Sequence, residues 1–152
     1  MHLSVRVHDR VRETEKFVRL FTVIQTQIEY ALTPTGELLE KLSASTEFQD
    51  FSFIQLVKEQ FIAGESLEKA WNTALQKYSA NSALQAKEME LISAFSESFG
   101  STDKSGQSAN CAYFIAQLKM QAEELQKDAH TKSRLYRAMG ILSGVFLMIL
   151  LL

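Results

Sequence analysis

A chain of 152 residues is sized for one domain, and its first 137 residues are enough to bury a real core. Apolar residues make up 46% and charged residues 22%, the balance of a globular chain rather than a disordered one. Sixteen Lys and Arg against 18 Asp and Glu leave a net charge of −2, which argues against a nucleic-acid binder; a single cysteine, Cys111, excludes an internal disulfide.

The chain opens with an Arg-rich segment carrying Arg6, Arg10, Arg12, Lys16 and Arg19. From Phe17 onward Phe21, Ile24, Ile28 and Ala31 recur at helical spacing, widened by Leu20 and Leu32. This first amphipathic helix stops before Thr33-Pro34, which holds the only proline. Residues ahead of a proline avoid the α region, while proline itself suits a first helical position. Thr33 is therefore read as the cap of a short second helix with Leu38, Leu39 and Leu42.

A third helix is expected from Phe48 to Ala63, with Phe51, Ile54, Leu56, Val57 and Phe61 apolar, and Gly64 closing it. Ser66 is placed to cap a fourth. Leu67, Ala70, Trp71, Ala74, Leu75 and Tyr78 then share one stripe, the cleanest in the chain. Residues 79–82 read as a turn. The fifth helix carries Leu84, Leu91, Ile92, Phe95 and Phe99, and Gly100 ends it. Ser101, Thr102 and Asp103 then cap a sixth, in which Cys111, Phe114, Leu118, Ala122, Leu125 and Ala129 recur at steps of three and four. No strand-like alternation and no tandem repeat stands out. The fold class is all-α: a compact bundle of about six helices joined by short loops, the last continuing into a C-terminal transmembrane helix.

That continuation is the apolar run AMGILSGVFLMILLL, residues 138–152, which begins at Ala138, ends at Leu152 and holds no charged side chain. Nothing breaks the helix before it. A core helix keeps a polar face, whereas only Ser143 interrupts this run. It divides the chain into a helical domain, 1–137, and a membrane segment, 138–152. Lys132, Arg134 and Arg137 precede the run, and basic flanks stay cytoplasmic, so the domain is expected on the cytoplasmic side. Gly140 and Gly144 form a small-xxx-small step that lets another helix, from a second copy or another subunit, approach closely in lipid.

Catalytic and metal-binding patterns are missing. His2, His8 and His130 are dispersed, and no phosphate-binding loop, nucleotide fingerprint or nucleophile elbow occurs. The acidic pairs Glu13/Glu15, Glu88/Glu90 and Glu123/Glu124 read as solvated helix faces. Trp71 reads as core, Asp103 as a helix cap, and the Arg-rich start as a solvated helix end. The sharper alternative for those arginines is attraction to anionic lipid. No cofactor is implied.

Four strings in order resemble one family: Thr33-Pro34 after a long helix, ESLEKAW at 65–71, FGSTDKSGQ at 99–107, and YRAMGILSGVFLMILLL at the end. Together they are similar to the stage III sporulation protein AB family of endospore-forming bacteria. Gly100, Asp103 and Gln107, with the closing span, carry most of the likeness. That family resembles the inner-membrane platform protein F of type II secretion and type IV pilus machines. The resemblance implies a cytoplasmic six-helix domain held between two spans, although here Met1-His2-Leu3 leads directly into the Arg-rich segment. It also implies a cell-membrane protein on the mother-cell side, in the channel complex between mother cell and forespore. Its neighbours there would be a secretion-type ATPase, stage III sporulation protein AA, and other channel subunits. A non-enzymatic platform is thus the leading expectation. A generic tail-anchored helical adaptor unrelated to secretion is the alternative, and a membrane-bound carboxylate enzyme the third.

Overall fold

The computed structural model describes residues 2–30, 34–99 and 104–152, with the side chains of 2–4, 98–99, 104–108, 129, 132 and 133 outside the description. Six helices follow in order: α1 (His2–Tyr30), α2 (Thr35–Ala44), α3 (Ser52–Ile62), α4 (Leu67–Ser79), α5 (Ala86–Phe99) and α6 (Lys104–Leu151). No strand occurs among the described residues. Neighbours pack in sequence from α2 to α6, and α1 then closes on α6, so the first and last helices lie side by side.

Helix α1 is the axis of the core. Phe17, Leu20, Phe21 and Ile24 are fully buried, and their rings reach three other helices. Phe17 meets Phe51 and Phe53 edge-on, each at 4.9 Å between centroids. Phe21 stacks on Phe95 at 3.7 Å with the planes 4° apart, and touches Trp71 at 6.0 Å. Offset and edge-to-face ring pairs add about 0.5–1.5 kcal/mol each beyond the area they bury. The helix starts about four turns earlier than the pattern from Phe17 predicts. Val11 and Thr14 are buried, and Val7 is half-buried, so the stripe runs back through the arginines. Thr14 tolerates burial because its hydroxyl donates to the Arg10 carbonyl at 2.8 Å.

The helix ends follow local chemistry. Pro34, extended at φ −57° and ψ 148°, itself caps α2, and its carbonyl accepts the first helical bond from Leu38 N–H at 2.9 Å. The sequence pattern places the proline one position further in, as the first helical residue; Thr33 lies outside the described residues. Helix α3 begins at Ser52, not Phe48. Residues 46–50 form turns in which Phe48 inserts into the core at 1% exposure, and Phe51 is the extended N-cap. Two buried phenylalanines in a linker mimic the periodicity of a helix.

Gly64 closes α3 with φ +100°, a conformation that only glycine adopts without strain. The Glu65 N–H bonds the Gln60 carbonyl at 3.3 Å and the Gly64 N–H bonds Phe61 at 3.1 Å, the paired closure of a Schellman end. Ser66 Oγ accepts the Lys69 N–H at 3.2 Å and caps α4, as the sequence predicts.

Candidate functional site

The acidic pairs are where structure departs most from the sequence reading. Glu88 is fully buried rather than solvated. Its Oε1 accepts from Arg10 Nη2 at 2.6 Å and from Gln121 Nε2 at 3.0 Å. Its Oε2 accepts from Arg10 Nε at 3.1 Å and from the Gln85 N–H at 2.8 Å. The last bond is a capping-box contact, from the third residue of α5 back to its cap. It explains why α5 opens at Ala86 and leaves Leu84 in the preceding link. One carboxylate thus joins α1, α5 and α6. Burial pushes this carboxyl upward, but the hydrogen bonds from Arg10, Gln85 and Gln121 and the Arg10 charge outweigh it, leaving its pKa below the ordinary value. Arg10 accordingly is no solvated helix end: its fork is bidentate on Glu88.

Glu13, one turn further along α1, does the same for α4. Its Oε2 accepts from the Tyr78 hydroxyl at 3.0 Å and from Ser82 Oγ, and its Oε1 from the Ala83 N–H at 3.0 Å. The turn between α4 and α5 is thereby fastened to α1. Burial, then the Glu13 charge and hydrogen bond, push the Tyr78 phenol well above its usual range. Both carboxylates have their acceptor oxygens occupied by structural donors. Among the described residues no group of three or more His, Cys, Asp or Glu could hold a metal ion.

Trp71 and Ala70 are fully buried, and Leu67 packs half-buried beside them. The Trp71 Nε1–H donates to the Ile92 carbonyl at 2.7 Å, so its polar edge is satisfied inside the core. Cys111 is buried on α6, and its thiol is pushed up to about 11 by burial and the charge of Glu29. Between α4 and α5 lies an open groove of about 910 Å³ lined by Lys69, Asn72, Gln76, Glu90, Ser93 and Glu97. Gly100 and Asp103 lie outside the described residues, as does the side chain of Gln107.

Helix α6 is continuous over 48 residues, about 72 Å at 1.5 Å per residue. Its first half belongs to the core, with Cys111, Ile115, Leu118, Ala122 and Leu125 buried. Every residue from 134 to 152 is exposed. The window Arg134–Leu151 is apolar, with mean hydropathy 1.6, and none of it is buried against the domain. Eighteen residues cover about 27 Å, close to a hydrocarbon core of about 30 Å. By length and composition this helix is able to cross a membrane. Ser143, the polar interruption, donates its hydroxyl to the Met139 carbonyl at 2.8 Å, so the helix presents no unmet donor there. Ala138, Gly140, Gly144 and Leu152 all lie on this exposed stretch, and nothing comes within 4 Å of a Cβ added at either glycine.

These features define an all-α domain whose last helix projects an exposed apolar tail. The sequence pattern of the stage III sporulation protein AB family matches residues 1–152, and the chain belongs to that family of sporulation proteins. It is 19% identical over 145 residues to stage III sporulation protein AB of Bacillus subtilis (strain 168), covering 95% of this chain and 85% of that one. A solved structure of a stage III sporulation protein AB superposes with a TM-score of 0.63 at 17% identity, covering 80% of this chain and 97% of that one. At that identity the superposition speaks for the fold alone.

Proposed function

We propose that this protein is a membrane platform: a non-enzymatic subunit of a secretion-like channel complex formed between mother cell and forespore during sporulation. In this reading α6 enters the cell membrane after Arg137, and residues 1–137 form a cytoplasmic domain that docks a secretion-type ATPase and other channel subunits. The observation that carries it is the unbroken path of α6 from the buried Cys111–Leu125 stripe to an apolar tail with no cover of its own. A rigid helix rooted in the core and fixed in a bilayer holds the domain at a set height. A flexible linker would not. The basic flank of Arg134 and Arg137 supports the cytoplasmic orientation. Glu13 and Glu88 are engaged in holding helices together, which favours a scaffold over the carboxylate-enzyme alternative.

The test is co-purification. The full chain, solubilised in mild detergent, is expected to retain the sporulation ATPase, stage III sporulation protein AA. Failure to retain any secretion-type ATPase, with the domain folded, returns the chain to the generic tail-anchored adaptor.

A further inference from the structure

Helices α1 and α6 run antiparallel, and residues that face each other give their register. Gln126 Nε2 donates to Glu15 Oε1 at 3.3 Å, and Val18 and Ala122 line one cleft beside that pair. The facing numbers sum to 141 and 140, so the helices keep step along this stretch. Moving nine residues from Glu15 towards the start of α1 reaches Arg6, about 13.5 Å away; moving eight from Gln126 along α6 reaches Arg134, about 12 Å away. Val7 is half-buried and Val11 buried, so α1 stays against its partner to this level. Arg6, far from Arg134 in sequence, therefore stands at the same height, at the point where the apolar tail begins.

The charges at this end are one-sided. No Asp or Glu precedes Asp9, and none follows Asp128. Arg10 is committed to Glu88, and Arg12 lies 3.6 Å from Asp9. Arg6, Arg134 and Arg137 are exposed and form no ion pair with any described residue. Lys132 adds a fourth positive charge from the sequence, and the exposed Tyr136 sits among them. What surrounds the first turn of a spanning helix is the headgroup layer, where tyrosine and basic side chains are favoured.

We infer that Arg6 on α1 joins Arg134 and Arg137 on α6 in a two-helix basic collar that binds anionic phospholipid headgroups. The collar rests on the membrane reading proposed above. It ties the domain to the bilayer at a second helix, so that the domain does not swing about α6. Each basic residue near an anionic surface strengthens attraction by about fivefold.

The test uses the full chain reconstituted in phosphatidylcholine bilayers with trace spin-labelled phosphatidylglycerol or phosphatidylcholine. The readout is the ratio of their association constants at the protein surface. The wild type is expected to prefer phosphatidylglycerol severalfold, less so in high salt. Arg6→Gln is expected to cut the preference by a factor similar to that of Arg134→Gln, and Arg19→Gln, remote from this end, to leave it unchanged. An effect of Arg134→Gln with none of Arg6→Gln overturns the collar while the membrane reading stands. An equal drop in Arg19→Gln overturns it also, since the effect is then one of net charge. If the full chain does not float with the vesicles, the membrane reading fails and the collar with it.

Discussion

The guanidinium of Arg10 and the carboxylate of Glu88 meet at 2.6 and 3.1 Å across 78 residues of chain, with Glu88 wholly enclosed. Gln121 on α6 donates to the same carboxylate. The first, fifth and sixth helices are thus locked at one buried anion, close to the end of the domain from which the tail departs. Removing one partner of such a pair is costly because it strands the other charge without compensation.

Arg10→Met is therefore expected to destabilise the fold by about 3–5 kcal/mol, and Glu88→Gln added to it to restore a substantial part. Urea unfolding of the full chain in mild detergent, followed by helical CD, measures both. A cost for Arg10→Met under about 1 kcal/mol sinks the idea, because that is the worth of a surface pair.

Acid sensitivity follows from the same carboxylate. Its folded pKa lies below the ordinary carboxylate value of 4.5, through the donors and charge that outweigh burial. A depressed carboxylate pKa contributes stability above the unfolded value, and that contribution is lost as pH falls from about 4.5 through the folded value. The urea midpoint of the wild type is expected to fall below pH 4.5, and that of Glu88→Gln to fall less. Identical acid profiles for the two proteins contradict this assignment.

Trp71 packs edge-on against Phe53 at 4.9 Å, lies 5.6 Å from Phe95, and donates to the Ile92 carbonyl. Trp71→Ala is expected to cost about 3–5 kcal/mol, and Trp71→Phe less, since it keeps most of the volume but loses the N–H donor. As the sole tryptophan, Trp71 should show blue-shifted emission that moves to the red on unfolding. Water-like emission from the folded protein is incompatible with its enclosure.

Deleting residues 138–152 is expected to move the domain from the membrane fraction to the soluble fraction with its helical CD signal kept. Every residue removed is exposed, and Leu125 is the last buried residue among those described on α6. If the shortened chain aggregates with its core broken, the tail was core and the anchor reading fails.

Much of the fold was legible in the chain, because local chemistry dictates it. The stripe of α4 with its Ser66 cap, the glycine end of α3 and the unbroken passage of α6 into an apolar tail follow from spacing and conformational preference. So did the family likeness. The boundaries of α1 and α3 were less legible. Val7, Val11 and Thr14 extend the α1 stripe among arginines, and the buried Phe48 lies in turns that share the periodicity of a helix. Tertiary structure alone decided the fate of the charges. Glu88 and Glu90 stand two apart on α5, and although the capping contact of Glu88 is local, its burial is not: one is enclosed on an arginine 78 residues away and the other is exposed. Whether a carboxylate is solvated or enclosed depends on which helix is laid across it. The same holds for Arg6: its neighbours along the chain mark it as one more exposed arginine, and only the antiparallel register of α1 on α6 brings it level with the start of the tail.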